Sequence, residues 1–267
     1  MTGPDGLRED GTRAAALWDS HCHLQDPRLA GALPEVLARA RAAGAAGLVC
    51  CATGEADWEP VLELARAHPG TAPRLAPMLG LHPWWADRAA PGWTGRLRGL
   101  LEATGAGVGE CGLDFAPGRP ERAVQEAVLE AQLRLAVELD RPVAIHCVRA
   151  WGALLDRLRS FGIPAAGALV HAFSGSAEVA EELQALGVHL SFGPAAVRAG
   201  AGRSAQALAA AAPDRLLFET DAPFGAPEPA RVRDVARAAA RLRGAPLEPL
   251  AAQAERSALG LFGRLAP

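Results

Sequence analysis

Lysine, asparagine and tyrosine are absent from this 267-residue chain, so all 27 of its basic side chains are arginine. That bias, with the heavy use of alanine, reads as genomic composition rather than function, yet it removes whole chemistries. Without lysine there is no Schiff-base nucleophile, no standard phosphate-binding P-loop and no lysine carbamate to bridge two metal ions. The 5 cysteines are odd in number and lack CxxC spacing, which fits reduced, inert thiols better than a disulfide framework. No segment holds a membrane-length apolar run, and the opening stretch MTGPDGLREDGTRAAALWDS mixes charges with glycines instead of resembling a signal peptide. These absences predict a soluble, cytoplasmic protein with no membrane partner and no obligate protein partner. A net charge of -3 supplies no general basic field, so wrapping of long duplex nucleic acid is not expected.

What is present is an ordinary globular composition, 50% apolar and 21% charged, long enough for one large core or two smaller domains. Eight short apolar runs end in glycine, proline or polar residues: ALWDSHC, GLVCCAT, RLAPMLGLHP, AGVGECGLD, PVAIHCV, GALVHAFS, VHLSFGP and RLLFETDAP. Between them lie stretches with helical spacing at 33–43, 58–67, 97–103, 122–139, 151–159, 177–186, 206–212 and 231–243, with a closing helix at 247–262. Eight strand–helix units with buried, parallel strands predict an α/β fold, a (β/α)8 TIM-type barrel. An open doubly wound sheet would want a glycine-rich phosphate turn after an early strand, and CCATGEAD carries one glycine only. No linker divides the chain. We expect one domain over 1–267, with 1–16 as a flexible N-terminal extension.

The polar residues gather where such a barrel works. Residues two apart on a strand face the same side, so His21 and His23 share a face and Cys22 takes the other. Further along, the strand ends carry His82 in GLHP, Glu110 in GECGLD, His146 in AIHCV, His171 in LVHAFSG and Asp221 in FETDAP. His189 sits near the start of its strand, and His68 closes a helix. All strand C-termini of a β/α barrel open onto one face, so residues far apart in sequence converge there. Imidazoles and carboxylates in that number suit divalent ions such as zinc, manganese or magnesium, with no need for thiolates.

The ordered series DSHCH, GLHPW, GECGLD, PVAIHC, HAFSGS, SFG and ETDAP, from Asp19 to Pro223, resembles the TatD family of metal-dependent deoxyribonucleases, within the amidohydrolase-like barrel superfamily. The resemblance implies a two-metal phosphodiesterase. His21, His23 and Asp221 would hold one ion, His146 and His171 the second, and Glu110 would bridge both. Relatives that bridge through a carbamylated lysine have no counterpart here, and Glu110 supplies the anion instead. Asp221 would deprotonate water, and His82, outside the ligand set, would bind phosphate or protonate the leaving group. Glu219 is a candidate for substrate contact or for orienting a ligand or the water, Ser174 for phosphate binding or capping the next helix, and Arg149 for phosphate contact. Ser176 can bind phosphate or cap the next helix. Arg198 and Arg203 can meet phosphates, and Trp84 and Trp85 can stack a base or close a lid.

Two positions depart from the family pattern. Val148 stands where an arginine is frequent, with Arg149 one residue later, and Ser257 replaces an asparagine before the final LFG, a change expected to affect packing or a cap. The expected substrates are ends of single-stranded DNA or small phosphodiesters. The competing readings are hydrolysis of an amide, lactone or phosphotriester on the same barrel, and a catalytically idle metal-binding scaffold.

Overall fold

In the computed structural model, residues 15–70, 72–198 and 202–265 are described. Aliphatic runs flanked by glycine or proline form eight strands: β1 (Leu17–Cys22), β2 (Ala45–Cys51), β3 (Arg74–Leu79), β4 (Gly107–Asp114), β5 (Val143–Val148), β6 (Ala168–Val170), β7 (His189–Phe192) and β8 (Leu216–Phe218). They pair in parallel in the order β1 to β8. A bridge between Cys22 and Ala222 brings the two ends together. The expected (β/α)8 barrel is the observed one.

The interleaved helices are α1 (Pro27–Ala30), α2 (Leu33–Ala42), α3 (Glu55–Ala67), α4 (Trp93–Thr104), α5 (Arg122–Glu138), α6 (Trp151–Phe161), α7 (Ala177–Ala185), α8 (Pro194–Val197), α9 (Arg203–Ala210), α10 (Val232–Leu242) and α11 (Leu247–Phe262). Three, α3, α4 and α9, begin three or four residues earlier than their apolar periodicity indicates. Glycines precede all three, and the first turn of α3 carries Glu55 and Asp57, acids that favour a helix N-terminus while contributing nothing apolar to the pattern. Of the expected extension 1–16, residues 1–14 lie outside the described residues. Ala15 is tied down: its N–H donates to Glu248 at 3.1 Å, and its carbonyl accepts from Arg233 at 3.1 Å.

Two apolar layers result. Outward strand residues such as Leu48, Val108, Ile145 and Phe218 pack under the helices. Inward residues Trp18, Val49, Cys51, Ala76, Met78, Ala144, Leu169 and Leu217 fill the barrel, and α11 closes its lower end with Leu261 and Phe262, the latter stacked on Trp18 at 6.1 Å. The lower end is therefore packed core, and the C-terminal mouth is left for polar side chains. Ser257 on α11 donates to the Asp214 carbonyl at 3.0 Å, tying this helix to the turn before β8. Among the described residues, no helix is long and apolar enough to cross a membrane.

Candidate metal centre

Simple alternation along β1 would put Cys22 and Leu17 on opposite faces, yet both pack outward. The reason is a register shift: Asp19 to Cys22 spans three steps on β1 while its partners Leu48 to Cys50 span two. The extra residue lets Trp18 point inward below while His21 and His23 point inward above. Strand β4 repeats the device, since Val108 to Cys111 faces only Val143 to Ile145 and Glu110 lies in the shifted segment. Glycine permits it. Gly112, at φ 142°, leaves space where a Cβ would meet the His146 carbonyl at 2.0 Å, and a Cβ on Gly80 would meet the Glu110 carbonyl at 2.7 Å.

The first and last strands join at the same level. Asp221 N–H donates to the His21 carbonyl at 2.9 Å, and His23 N–H donates to the Ala222 carbonyl at 2.8 Å. Just below, buried Asp19 accepts from Thr220 N–H at 2.8 Å and from the Thr220 hydroxyl. Burial raises the Asp19 carboxyl to about 8 despite those bonds.

Buried Glu110 is the centre of the cluster, and its two oxygens divide the histidines. Oε2 lies 3.2 Å from His21 Nε2 and 3.6 Å from His23 Nε2, which in turn lies 3.4 Å from Asp221. Oε1 lies 2.8 Å from His171 Nε2, 3.1 Å from His146 Nδ1 and 3.1 Å from His82 Nε2. Among the described residues, three groups of ligand atoms are compact enough to hold a cation: His21, His23 and Asp221; His21, Glu110 and His171; His82, Glu110 and His146.

Hydrogen bonds on the far side of each ring decide which nitrogen offers a lone pair. His23 Nδ1 lies 2.8 Å from the Cys51 carbonyl, which can only accept, so Nδ1 is protonated and Nε2 is free to coordinate. His171 Nδ1 faces Glu219 at 3.4 Å, and His146 Nε2 faces Asp114 at 3.6 Å. Neither outer nitrogen has a hydrogen-bond partner among the described residues, and the facing carboxylates favour a proton there, which would leave the inner nitrogen to coordinate a cation. His82 is reversed: its Nδ1 accepts from Trp84 N–H at 3.1 Å, so its inward Nε2 carries the proton. A protonated nitrogen donates a hydrogen bond and cannot ligate, so His82 stands apart from the ligands although it is close to them.

The charges point the same way. Burial alone would raise Glu110, but the surrounding imidazoles hold it well below the usual carboxylate range. Burial opposes protonation of His171, yet Glu110 and Glu219 hold it well above its ordinary value. Inward nitrogens 3.0 Å apart (His146 and His171) and 3.2 Å apart (His21 and His23) need positive charge between them, a shared proton or a cation. Divalent cations meet that demand with the donor set present, so these residues fit a metal centre. Burial pushes His82 down to about 4, which keeps it a neutral donor.

The remaining candidates divide. Of the two roles expected for Glu219, its position favours support: it is fully buried, accepts from Ala172 N–H at 2.8 Å and faces His171 Nδ1 at 3.4 Å. Ser174 and Arg149 are exposed on the loops after β6 and β5, outside the cluster, and Arg198 and Arg203 are exposed too. Ser176 caps α7, accepting from Val179 N–H. Trp85 packs with Leu81, Ala86 and Val128, while Trp84 stays exposed at the mouth. Cys22, Cys111 and Cys147 are buried in the outer layer, and Cys51 sits inside the barrel with its thiol 3.4 Å from His21 Nδ1.

Asp114 escaped the sequence reading. Its Oδ2 accepts from Trp84 Nε1–H at 2.6 Å and from Arg119 Nε–H at 3.2 Å and faces His146. The signal was available, because Asp114 follows Glu110 by four on one strand.

Comparison with known proteins adds the lineage. A model of the "TatD related DNase" family matches residues 18–263. The chain is 32% identical over 260 residues to the 3'-5' ssDNA/RNA exonuclease TatD of Pantoea vagans, covering 92% of this chain and 99% of that protein. It is 35% identical over 208 residues to the like-named protein of Edwardsiella piscicida, covering 77% and 79% of the two chains. Among solved structures, the TatD homologue YjjV of Escherichia coli K12 superposes with a TM-score of 0.86 at 29% identity, over 93% of this chain and 98% of that one.

Proposed function

The chain belongs to the TatD-related DNase family, and from that premise we propose that it is a two-metal hydrolase of phosphodiester bonds at single-stranded nucleic-acid ends. One observation carries the metal assignment: the two oxygens of Glu110 serve separate sets of inward-facing nitrogens, His21 and His23 on one side, His146 and His171 on the other. Asp221 would complete the first set, and Glu110 would serve both. The imidazole and carboxylate donors suit zinc, manganese or magnesium.

Divalent ions at such a centre supply Lewis acidity for the phosphoryl group and make water a competent nucleophile near neutral pH. The protein's own groups do the rest. Asp221, at the rim with its side chain 24% exposed, faces both His23 and solvent, and it orients the attacking water and takes its proton. His82 donates its Nε2–H to a non-bridging phosphate oxygen. Being neutral, it has no readily released proton, which favours phosphate binding over protonation of the leaving group. Glu219, Asp114 and the Cys51 carbonyl hold the ligand rings in place.

The test is cleavage of end-labelled oligonucleotides with zinc, manganese or magnesium added. Shortening of the single strand, with a blunt duplex of the same sequence left intact, is the expected result. No phosphodiester turnover with any of the three metals would overturn the proposal.

A further inference from the structure

Two large aromatic side chains are exposed among the described residues, Trp84 at 38% and Phe224 at 59%, and both stand at the metal centre. The other exposed large apolar residues, Val137, Leu242 and Leu259, lie on the outer helices α5, α10 and α11. The Trp84 ring is set edge-on to His82 at 5.0 Å and to His146 at 6.4 Å, on the Oε1 side of Glu110. The Phe224 ring is set edge-on to His23 at 5.4 Å, on the Oε2 side. The cluster therefore has one exposed aromatic ring at each flank.

Each ring also carries an arginine. The Arg119 guanidinium lies 3.8 Å from the Trp84 ring centre, and Arg28 lies 4.3 Å from that of Phe224. Aspartates fix both arginines: Arg119 donates to Asp114 at 3.2 Å, and Arg28 donates to Asp26 through Nε and a terminal nitrogen at 2.8 Å each. Arg28 and Arg119 keep side-chain exposures of 53% and 33%, so each guanidinium still offers surface beyond its ring contact. A planar cation held on an aromatic ring is a surface on which a third planar group stacks, and unstacked nucleobases bind in that manner. With a net charge of -3, local arginines and rings must supply what a general basic field does not.

We propose that Trp84–Arg119 and Phe224–Arg28 are two nucleobase subsites, taking the bases on either side of the bond that is cut. This rests on the hydrolase reading above and deepens it. Two flanking stacks require the strand to splay its bases apart, which a single-stranded end does readily and a paired duplex does not. Stacking reads the π-face that every base shares, so the subsites accept DNA and RNA of any sequence.

Phe224 is the cleaner probe, because replacing Trp84 also removes a hydrogen bond to Asp114 and disturbs His146. The experiment measures binding by fluorescence anisotropy, with manganese-loaded protein and a six-nucleotide strand whose phosphorothioate links resist cleavage. A twin strand carries abasic tetrahydrofuran residues at the last two positions. Wild type should bind the base-bearing strand on the order of tenfold more tightly than its twin. Phe224→Leu should lose about fivefold or more on the base-bearing strand only, and Phe224→Tyr should restore it. Equal affinity of wild type for the two strands, or an equal loss on both in Phe224→Leu, would overturn the subsites. The hydrolase reading fails separately: preferential binding of bases without turnover of a normal linkage would sink the reaction and leave the subsites standing.

Discussion

Asp114→Asn tests how far the centre depends on residues that touch no ion. The Asp114 carboxylate is almost fully buried, and burial would raise it, but the facing His146 imidazole at 3.6 Å and the hydrogen bond from Trp84 hold it well below the usual range. Oδ1 accepts from Ala116 N–H at 2.9 Å, while Oδ2 faces Trp84, Arg119 and His146. Asparagine has one oxygen and one NH2 group, so every orientation points a donor at another donor. If the oxygen stays with the three larger groups, the amide opposes Ala116; if it turns, His146 loses the acceptor that fixes its outward proton. The His146 ring is then free to present the wrong nitrogen to Glu110. Removing such a support weakens metal affinity by roughly 10- to 100-fold, which is about 1.4 to 2.8 kcal/mol. Competition against a chromogenic chelator measures it. We expect the ion held through His146 and His171 to weaken by that factor and the other ion to stay within about threefold. Affinities within twofold of wild type for both ions would refute the tautomer argument.

Further predictions follow from the packing and the charges. Stripping the metals with a chelator removes on the order of 2.7 kcal/mol for a site held at 100 times its dissociation constant, so calorimetry should show a midpoint lower by roughly 5 to 10 °C; an unchanged midpoint would contradict occupancy. Gly47→Ala would set a methyl 2.4 Å from the Trp18 ring, which Phe262 backs. Urea titration should find it less stable by about 1 to 3 kcal/mol, and wild-type stability would show that the ring yields. Buried His189 has no hydrogen-bond partner at Nδ1, and burial and then Arg215 push it down to about 4 from an ordinary 6.5. The unfolded chain then binds a proton that the folded chain refuses, so this residue lowers stability as pH falls from 6.5 towards 4. His189→Gln should recover about 2 kcal/mol at pH 4.5 relative to pH 6.5. Parallel pH profiles for variant and wild type would rule that out.

The barrel was legible because its strands are short aliphatic runs and its helices keep their apolar period. The candidate ligands were legible because each stands at or near a strand end. The inward aim of His21, His23 and Glu110 was predicted from plain alternation, but it is produced by a register shift in β1 and another in β4, which depend on cross-strand pairing. Which nitrogen of each ring faces the centre was not legible, since the partners that set it, the Cys51 carbonyl, Asp114, Glu219 and Trp84 N–H, come from other strands or loops. Alternation left Glu219 open between substrate contact and ligand support because it gives a facing without a depth. Arg28 and Phe224 lie 196 positions apart and carry no joint signal until the barrel closes.

The account depends on Glu110 joining two cation sites, and metal analysis of the purified chain beside Glu110→Ala tests this most directly. It predicts two divalent ions per wild-type chain and the loss of at least one, together with oligonucleotide cleavage, from the variant. Equal metal content in the two proteins would contradict it.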